Sequence, residues 1–128
     1  MKIYNGTQHQ INFYNLDQCD QSNPRKLIVL EGQVPVYSIE AGTNLNAIIG
    51  NAQLTQQYDL PFKVNGAVVF TNYDPLPEGY DLYIVSNLYR SAVKELGGDT
   101  SKLATVYGVV YYDTDNPRPC GCLGLAIG

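Results

Sequence analysis

Several residue types that often carry a function are scarce in this chain of 128 residues. It contains no tryptophan, one histidine and one methionine, and charged residues make up only 16%. Eight Lys plus Arg stand against 12 Asp plus Glu, which gives a net charge of −4 at pH 7. Proteins that coat DNA or RNA need a basic surface, so we expect no polymeric nucleic acid as a partner. A small phosphorylated ligand stays compatible with this composition, because it needs only one or two local cations.

Long apolar stretches are also missing. No run approaches the roughly 18 apolar residues of a membrane span, so we expect no membrane partner. The first residues, MKIYN, do not begin the long apolar segment of a secretory signal, which favours a cytosolic setting. Three cysteines, an odd number, do not suggest a disulfide scaffold. A chain of this length fits one domain over residues 1–128.

The residues that are present favour a folded chain that associates with copies of itself. Hydrophobic residues make up 45%, which is enough for a buried core. Because so few residues are charged, we expect part of the surface to be covered by another copy in a homo-oligomer, a dimer or larger. The 11 tyrosines offer flat faces with polar tips, which suits strand faces and ligand stacking alike.

Strand and helix signals follow one another in an order that predicts an α+β fold, with a mixed, mostly antiparallel sheet and one or two helices. Strands are predicted at residues 2–4, 10–14, 26–30, 34–39, 66–72, 81–85, 105–112 and 120–127. Residues 16–25 and 74–79 read as loops, and residues 113–119 read as a long hairpin loop.

Helix and turn signals complete this interpretation. The clearest helix covers residues 87–96, with one face formed by Leu88, Ser91, Ala92 and Glu95 and a stop at the following glycines. Residues 44–58 are ambiguous, with apolar residues at loose helical spacing, and residues 102–105 read as a turn or one helical turn. Asn5-Gly6 predicts a tight turn between the first two strands.

The strongest candidate site lies where the strand over residues 81–85 ends and the helix begins at once. The first turn of a helix leaves amides unpaired, and these amides with the helix dipole attract anions. Ser86 or Asn87 can cap the helix and add side-chain hydrogen bonds, and Arg90 can clamp a phosphate one turn further on. An ordinary capped helix with an exposed arginine explains the same residues. No Gly-rich phosphate loop precedes the helix.

Other polar segments are weaker candidates. Arg118 sits at a proline-flanked loop tip, from which it could reach a ligand or a neighbouring subunit. His9, in the polar segment 5–10, is either a turn residue or a general base. Residues 42–46 form a similar polar turn, able to bind a ribose or to close a hairpin.

The remaining reactive groups do not form a recognisable catalytic or metal centre. Residues 113–122 lack the sixth-position glycine and closing glutamate of a calcium loop, and four zinc ligands at finger spacing are missing. We therefore expect Cys120 and Cys122 to be buried strand cysteines. The carboxylates do not pair at spacings typical of acid–base catalysis. We expect no catalytic residue, no metal and no cofactor, and binding without turnover.

Three segments resemble a phage or prophage family. IYNGTQHQI at residues 3–11, YIVSN at residues 83–87 and CGCLG at residues 120–124 are similar to the start, a central strand end and the finish of the anti-Thoeris sponge proteins. The resemblance implies an immune-evasion protein of the host bacterial cytoplasm that sequesters a cyclic ADP-ribose-type or cyclic nucleotide signal without cleaving it. It also implies homo-oligomers with ligand at subunit interfaces.

The resemblance also suggests ligand contacts. Aromatic, asparagine and arginine side chains are expected in the pocket, and the nearest matches are Tyr83, Tyr89, Asn87, Arg90 and Arg118. Two other functions stay open from the residues. One is an enzyme that degrades a cyclic nucleotide, with His9 as acid or base and Arg90 as phosphate clamp. The other is a structural accessory protein with no small ligand.

Overall fold

A computed structural model of the chain describes residues 1–128 and shows an eight-stranded mixed sheet, a separate two-stranded ribbon and one α-helix. A 3-10 turn covers Leu16–Gln18. The helix and strands are β1 (Ile3–Asn5), β2 (Ile11–Phe13), β3 (Cys19–Asp20), β4 (Leu27–Val29), β5 (Tyr37–Ile39), β6 (Ala47–Asn51), β7 (Val68–Tyr73), β8 (Leu82–Ile84), α1 (Asn87–Glu95), β9 (Leu103–Tyr111) and β10 (Gly121–Ile127).

The main path through the sheet runs β1-β8-β9-β10-β2-β5. β8 is parallel to both β1 and β9, and β10 is parallel to β2. The long β9–β10 ladder and the β6–β7 ribbon are antiparallel. β4 pairs with the end of β9 and carries β3 on its other side. The predicted α+β class with a mixed sheet is confirmed. β5 follows Pro35 and lies at an edge of the sheet, the position at which a strand tolerates proline.

The main core lies between the sheet and α1. Every residue of β8 is buried, because strands flank it on both sides. The helix buries Tyr89, Ala92 and Val93, at the spacing of one apolar face. The predicted face through Leu88 is wrong, since this side chain is 56% exposed. The helix ends before Gly97, whose φ of 80° suits glycine.

Pairing with distant strands resolves the ambiguous segment at residues 44–58 and makes two local expectations wrong. Residues 47–51 form β6 and no helix, because their backbone groups pair with β7, and isoleucine suits a strand. Leu103 begins β9 and no helical turn, since it pairs with Tyr83 of β8. Asn5-Gly6 does not close a hairpin, because β1 pairs with β8 and β2 pairs with β5 and β10.

No helix in the structure is long and apolar enough to cross a membrane.

A titration at high pH tests the packing of α1 on the loop before β8. The Tyr89 hydroxyl donates a hydrogen bond to the Asp74 carbonyl, and burial raises the pKa of Tyr89 from 10.0 to about 12. The unfolded chain therefore loses this proton first, so the free energy of unfolding should fall as pH rises from 10 towards 12. Tyr89→Phe should weaken that fall. Chemical denaturation of both proteins over this pH range measures the difference, and equal slopes would contradict the assignment.

Candidate functional site

Two of the predicted ligand contacts are core residues. Tyr83 is 5% exposed and Tyr89 is fully buried. Their hydroxyls donate hydrogen bonds to the carbonyls of Pro77 and Asp74, respectively. Neither ring has a face open to a ligand, so the ligand contacts expected of Tyr83 and Tyr89 are wrong in this structure. The physical reason is that both side chains fill the space between sheet and helix.

Arg118 lies far from the start of α1. The Val85 amide donates to the Ala104 carbonyl, which places the helix start beside the beginning of β9. The Cys120 amide donates to the Val110 carbonyl at the other end of β9. Six residues of extended strand span about 20 Å at the usual rise. Arg118 therefore does not join the helix start within one copy of the chain, and its expected contact with a ligand or a neighbouring subunit stays a prediction.

The remaining three predicted residues lie at the start of α1. Ser86 caps the helix, and its side chain accepts a hydrogen bond from the Tyr89 amide at 3.1 Å. Asn87 is exposed and Arg90 is half-buried. Only Ser86 of the three lines the groove described next. The helix cap at Ser86 was correctly predicted, whereas Arg90 does not line that groove.

A groove of about 330 Å³ opens beside the first turn of α1. Three segments that are distant in the sequence line it, and we call it the polar groove. Its lining residues are Thr7, Gln8, His9, Asn44, Leu45, Asn46, Ala47, Ser86 and Leu88. The polar segments around residues 5–10 and 42–46, which the sequence offers as weaker candidate sites, are thus brought to the start of the helix.

Gly6 joins the three segments through its backbone. Its amide donates to the Ile84 carbonyl at 2.8 Å, and its carbonyl accepts from the Leu45 amide at 2.9 Å. A Cβ atom at this position would lie 2.6 Å from Leu45 Cδ1 and 3.1 Å from the Ile84 carbonyl oxygen. Only glycine allows this approach without displacing a neighbour.

Asn5 organises the loop that follows Gly6. It is 2% exposed, and its Nδ2 donates to the carbonyls of His9 at 2.9 Å and Ile39 at 3.3 Å. Its Oδ1 accepts from the amide of Thr7 at 3.0 Å and from the Thr7 hydroxyl at 2.6 Å. All of its hydrogen-bonding capacity is used, so the loop that presents His9 is held by polar contacts.

Hydrogen bonds also fix the segment around residue 44. The Gly42 amide donates to the Asn5 carbonyl at 2.8 Å. The Asn46 amide donates to Asp74 Oδ2 at 2.7 Å, and Asn44 Nδ2 donates to Asn46 Oδ1 at 2.8 Å. This wall of the groove is therefore tied both to β1 and to the loop that follows β7.

The polar groove combines hydrogen-bond donors with a single ionisable side chain. Leu88 lines the groove, and its amide has no acceptor within the helix, because it belongs to the first turn. His9 and the amide side chains of Gln8 and Asn44 add further donors. No carboxylate is among the lining residues. This arrangement suits a small polar or anionic ligand.

The cysteines lie away from the groove. Cys19 and Cys122 are buried in β3 and β10, and Cys120 is half-buried just before β10. Burial raises the pKa of all three thiols, so they are uncharged near neutral pH and poor nucleophiles. The prediction of a buried strand cysteine is confirmed for Cys122, whereas Cys120 is half-buried and lies just outside β10.

A larger cavity of about 450 Å³ lies within the loop between the ribbon strands. Its lining comes only from residues 54–58 and 62–64 of that one loop. It gathers no groups from elsewhere in the fold, so the polar groove is the better candidate site.

Comparisons with known proteins identify no relative: no family model, no curated protein and no solved structure matches the chain.

Replacing Asn5 tests the support beneath the polar groove. Asn5→Asp keeps the shape but loses the two donated hydrogen bonds and brings a buried charge next to two carbonyls. We expect the free energy of unfolding to fall by about 3 kcal/mol at pH 7. Asn65→Asp adds the same charge at an exposed loop position and should change little. Urea denaturation measures both, and equal stability of the two variants would show that Asn5 does not hold the loop.

Proposed function

We propose that the protein binds a small phosphorylated signal, of the cyclic nucleotide or cyclic ADP-ribose class, in the polar groove and holds it without cleaving it. The observation that carries this proposal is the convergence of two distant polar segments, at residues 7–9 and 44–47, on the open first turn of α1. The first turn of a helix leaves backbone amides without acceptors in the helix. A phosphate group is the natural complement of such amides.

The size and chemistry of the groove support a small ligand. Its volume of about 330 Å³ lies near the lower end of the range of roughly 300–1,000 Å³ for ligand sites. The side chains of His9 and Asn44 offer donors to ribose or phosphate oxygens, and Leu88 offers an apolar surface for part of a base. The walls are fixed by hydrogen bonds before a ligand arrives, which lowers the entropic cost of binding.

Retention without cleavage fits the groups in the groove. Cleavage of a phosphodiester or glycosidic bond usually needs at least two positioned groups that transfer protons or activate a nucleophile. The lining contains one histidine and no carboxylate or cysteine. In this proposal the protein acts as a sponge in the host bacterial cytoplasm, where it lowers the free concentration of a defence signal.

Filling the groove tests its role in binding. Leu88→Trp places a large side chain at the groove, at a position already 56% exposed, so the fold should be retained. We expect at least a tenfold loss of affinity for whichever cyclic nucleotide or cyclic ADP-ribose isomer the parent binds, measured by calorimetry. Leu96→Trp is the matched control, because Leu96 is 44% exposed at the other end of the same helix. Equal losses of affinity in the two variants would contradict the proposal. So would a parent protein that binds no cyclic nucleotide and no cyclic ADP-ribose isomer.

The fate of the ligand separates a sponge from an enzyme. The parent protein is incubated with the ligand that it binds, and the complex is then heated to denature the protein. Mass spectrometry identifies the material that is released. We expect the ligand to be recovered intact. Cleaved products that His9→Ala abolishes would instead show a degrading enzyme with His9 in proton transfer.

A further inference from the structure

The chain exposes more surface than a folded monomer of its mass usually does. It exposes 8791 Å², and only 18 of its 128 residues are buried. A folded monomer of 14.1 kDa is expected to expose about 6,700 Å². The excess of roughly 2,000 Å² is more than the roughly 800 Å² that one partner buries in a standard interface. The difference indicates that a large surface is covered when the protein is assembled.

The β6–β7 ribbon contains the clearest uncovered apolar surface. Ile49 and Phe70 are paired across the two strands, and Val68 lies two residues along from Phe70. Because side chains two residues apart on a strand share a face, these three form one stripe, which we call the ribbon face. Ile49 is 54% exposed and Val68 is 67% exposed, whereas Phe70 is half-buried.

The ribbon has little support within its own chain. β6 and β7 pair only with each other, and α1 contacts them near their base, where the Tyr73 and Tyr89 rings are 5.8 Å apart. Two-stranded ribbons are marginally stable in water unless another layer packs on them. We therefore expect another molecule to cover the apolar ribbon face.

The charge distribution favours a copy of the same chain as that molecule. Residues 47–73 contain only two charged side chains, Asp59 and Lys63, which cancel. The net charge of −4 lies in the rest of the chain. A twofold interface sets a patch against itself, so a neutral patch avoids the like-charge repulsion that other surfaces of this acidic chain would meet.

We propose that the ribbon face docks against the ribbon face of a second copy of this chain and forms a twofold homodimer. The apolar stripe of Ile49, Val68 and Phe70 forms the centre of the interface. The surrounding ribbon and its loop, with exposed Tyr58 and Phe62, contribute further area. This proposal does not rest on ligand binding, since it concerns a different surface and its test measures mass.

A charge placed at the centre of the ribbon face tests the dimer. Val68→Asp sets two carboxylates against each other at an apolar contact, and we expect self-association to weaken by a factor of about 30 or more. Val34→Asp is the matched control, because Val34 is 70% exposed in the loop before β5 and lies off the ribbon. Sedimentation equilibrium of the full-length proteins measures both. A dimeric parent, a dissociated Val68→Asp and an unchanged Val34→Asp support the proposal.

The other outcomes overturn it. A parent that stays monomeric at tens of micromolar, or equal association of the two variants, would show that the ribbon face does not join two copies. If circular dichroism shows that Val68→Asp does not fold, hydrogen exchange of the parent protein decides whether the ribbon face joins two copies. The amides of β6 and β7 should then exchange more slowly as protein concentration rises. Exchange independent of concentration would mean that the ribbon is not a contact between copies.

Discussion

The backbone junction at Gly6 is the constraint on which the candidate site depends. Its amide and carbonyl connect the end of β8 to the segment of Leu45, and no side chain fits between them. α1 begins at Asn87, soon after Ile84, so this junction also sets the position of the helix amides that have no acceptor in the helix. A displacement here would separate all three walls of the polar groove.

Buried polar contacts, more than apolar packing, shape the walls of this groove. Asn5 is the one fully hydrogen-bonded polar side chain in the core, and it positions the loop that carries His9. Such contacts are directional, so they define one loop conformation where an apolar contact would allow several. A site built in this way suits a polar ligand, which requires donors at defined positions.

Much of the fold follows from local signals in the sequence. The apolar run at residues 82–84 predicts a buried strand, and Ser86 and Gly97 predict the two ends of α1, as observed. The strand at residues 47–51 could not be separated from a helix, because its apolar spacing is ambiguous and its partner β7 lies beyond a long loop. Short-range patterns carry no information about such pairing.

By itself the sequence determined the low charge, the capped helix at the end of a buried strand and the polar character of the two turns. Only the tertiary structure decided that these turns meet at the helix start, since the parallel pairing of β1 with β8 brings them there. It also decided that Tyr83 and Tyr89 fill the core while Arg118 lies at the far end of β9. The physical reason is that residue type sets what a side chain can bind, whereas long-range strand pairing sets which side chains share a space.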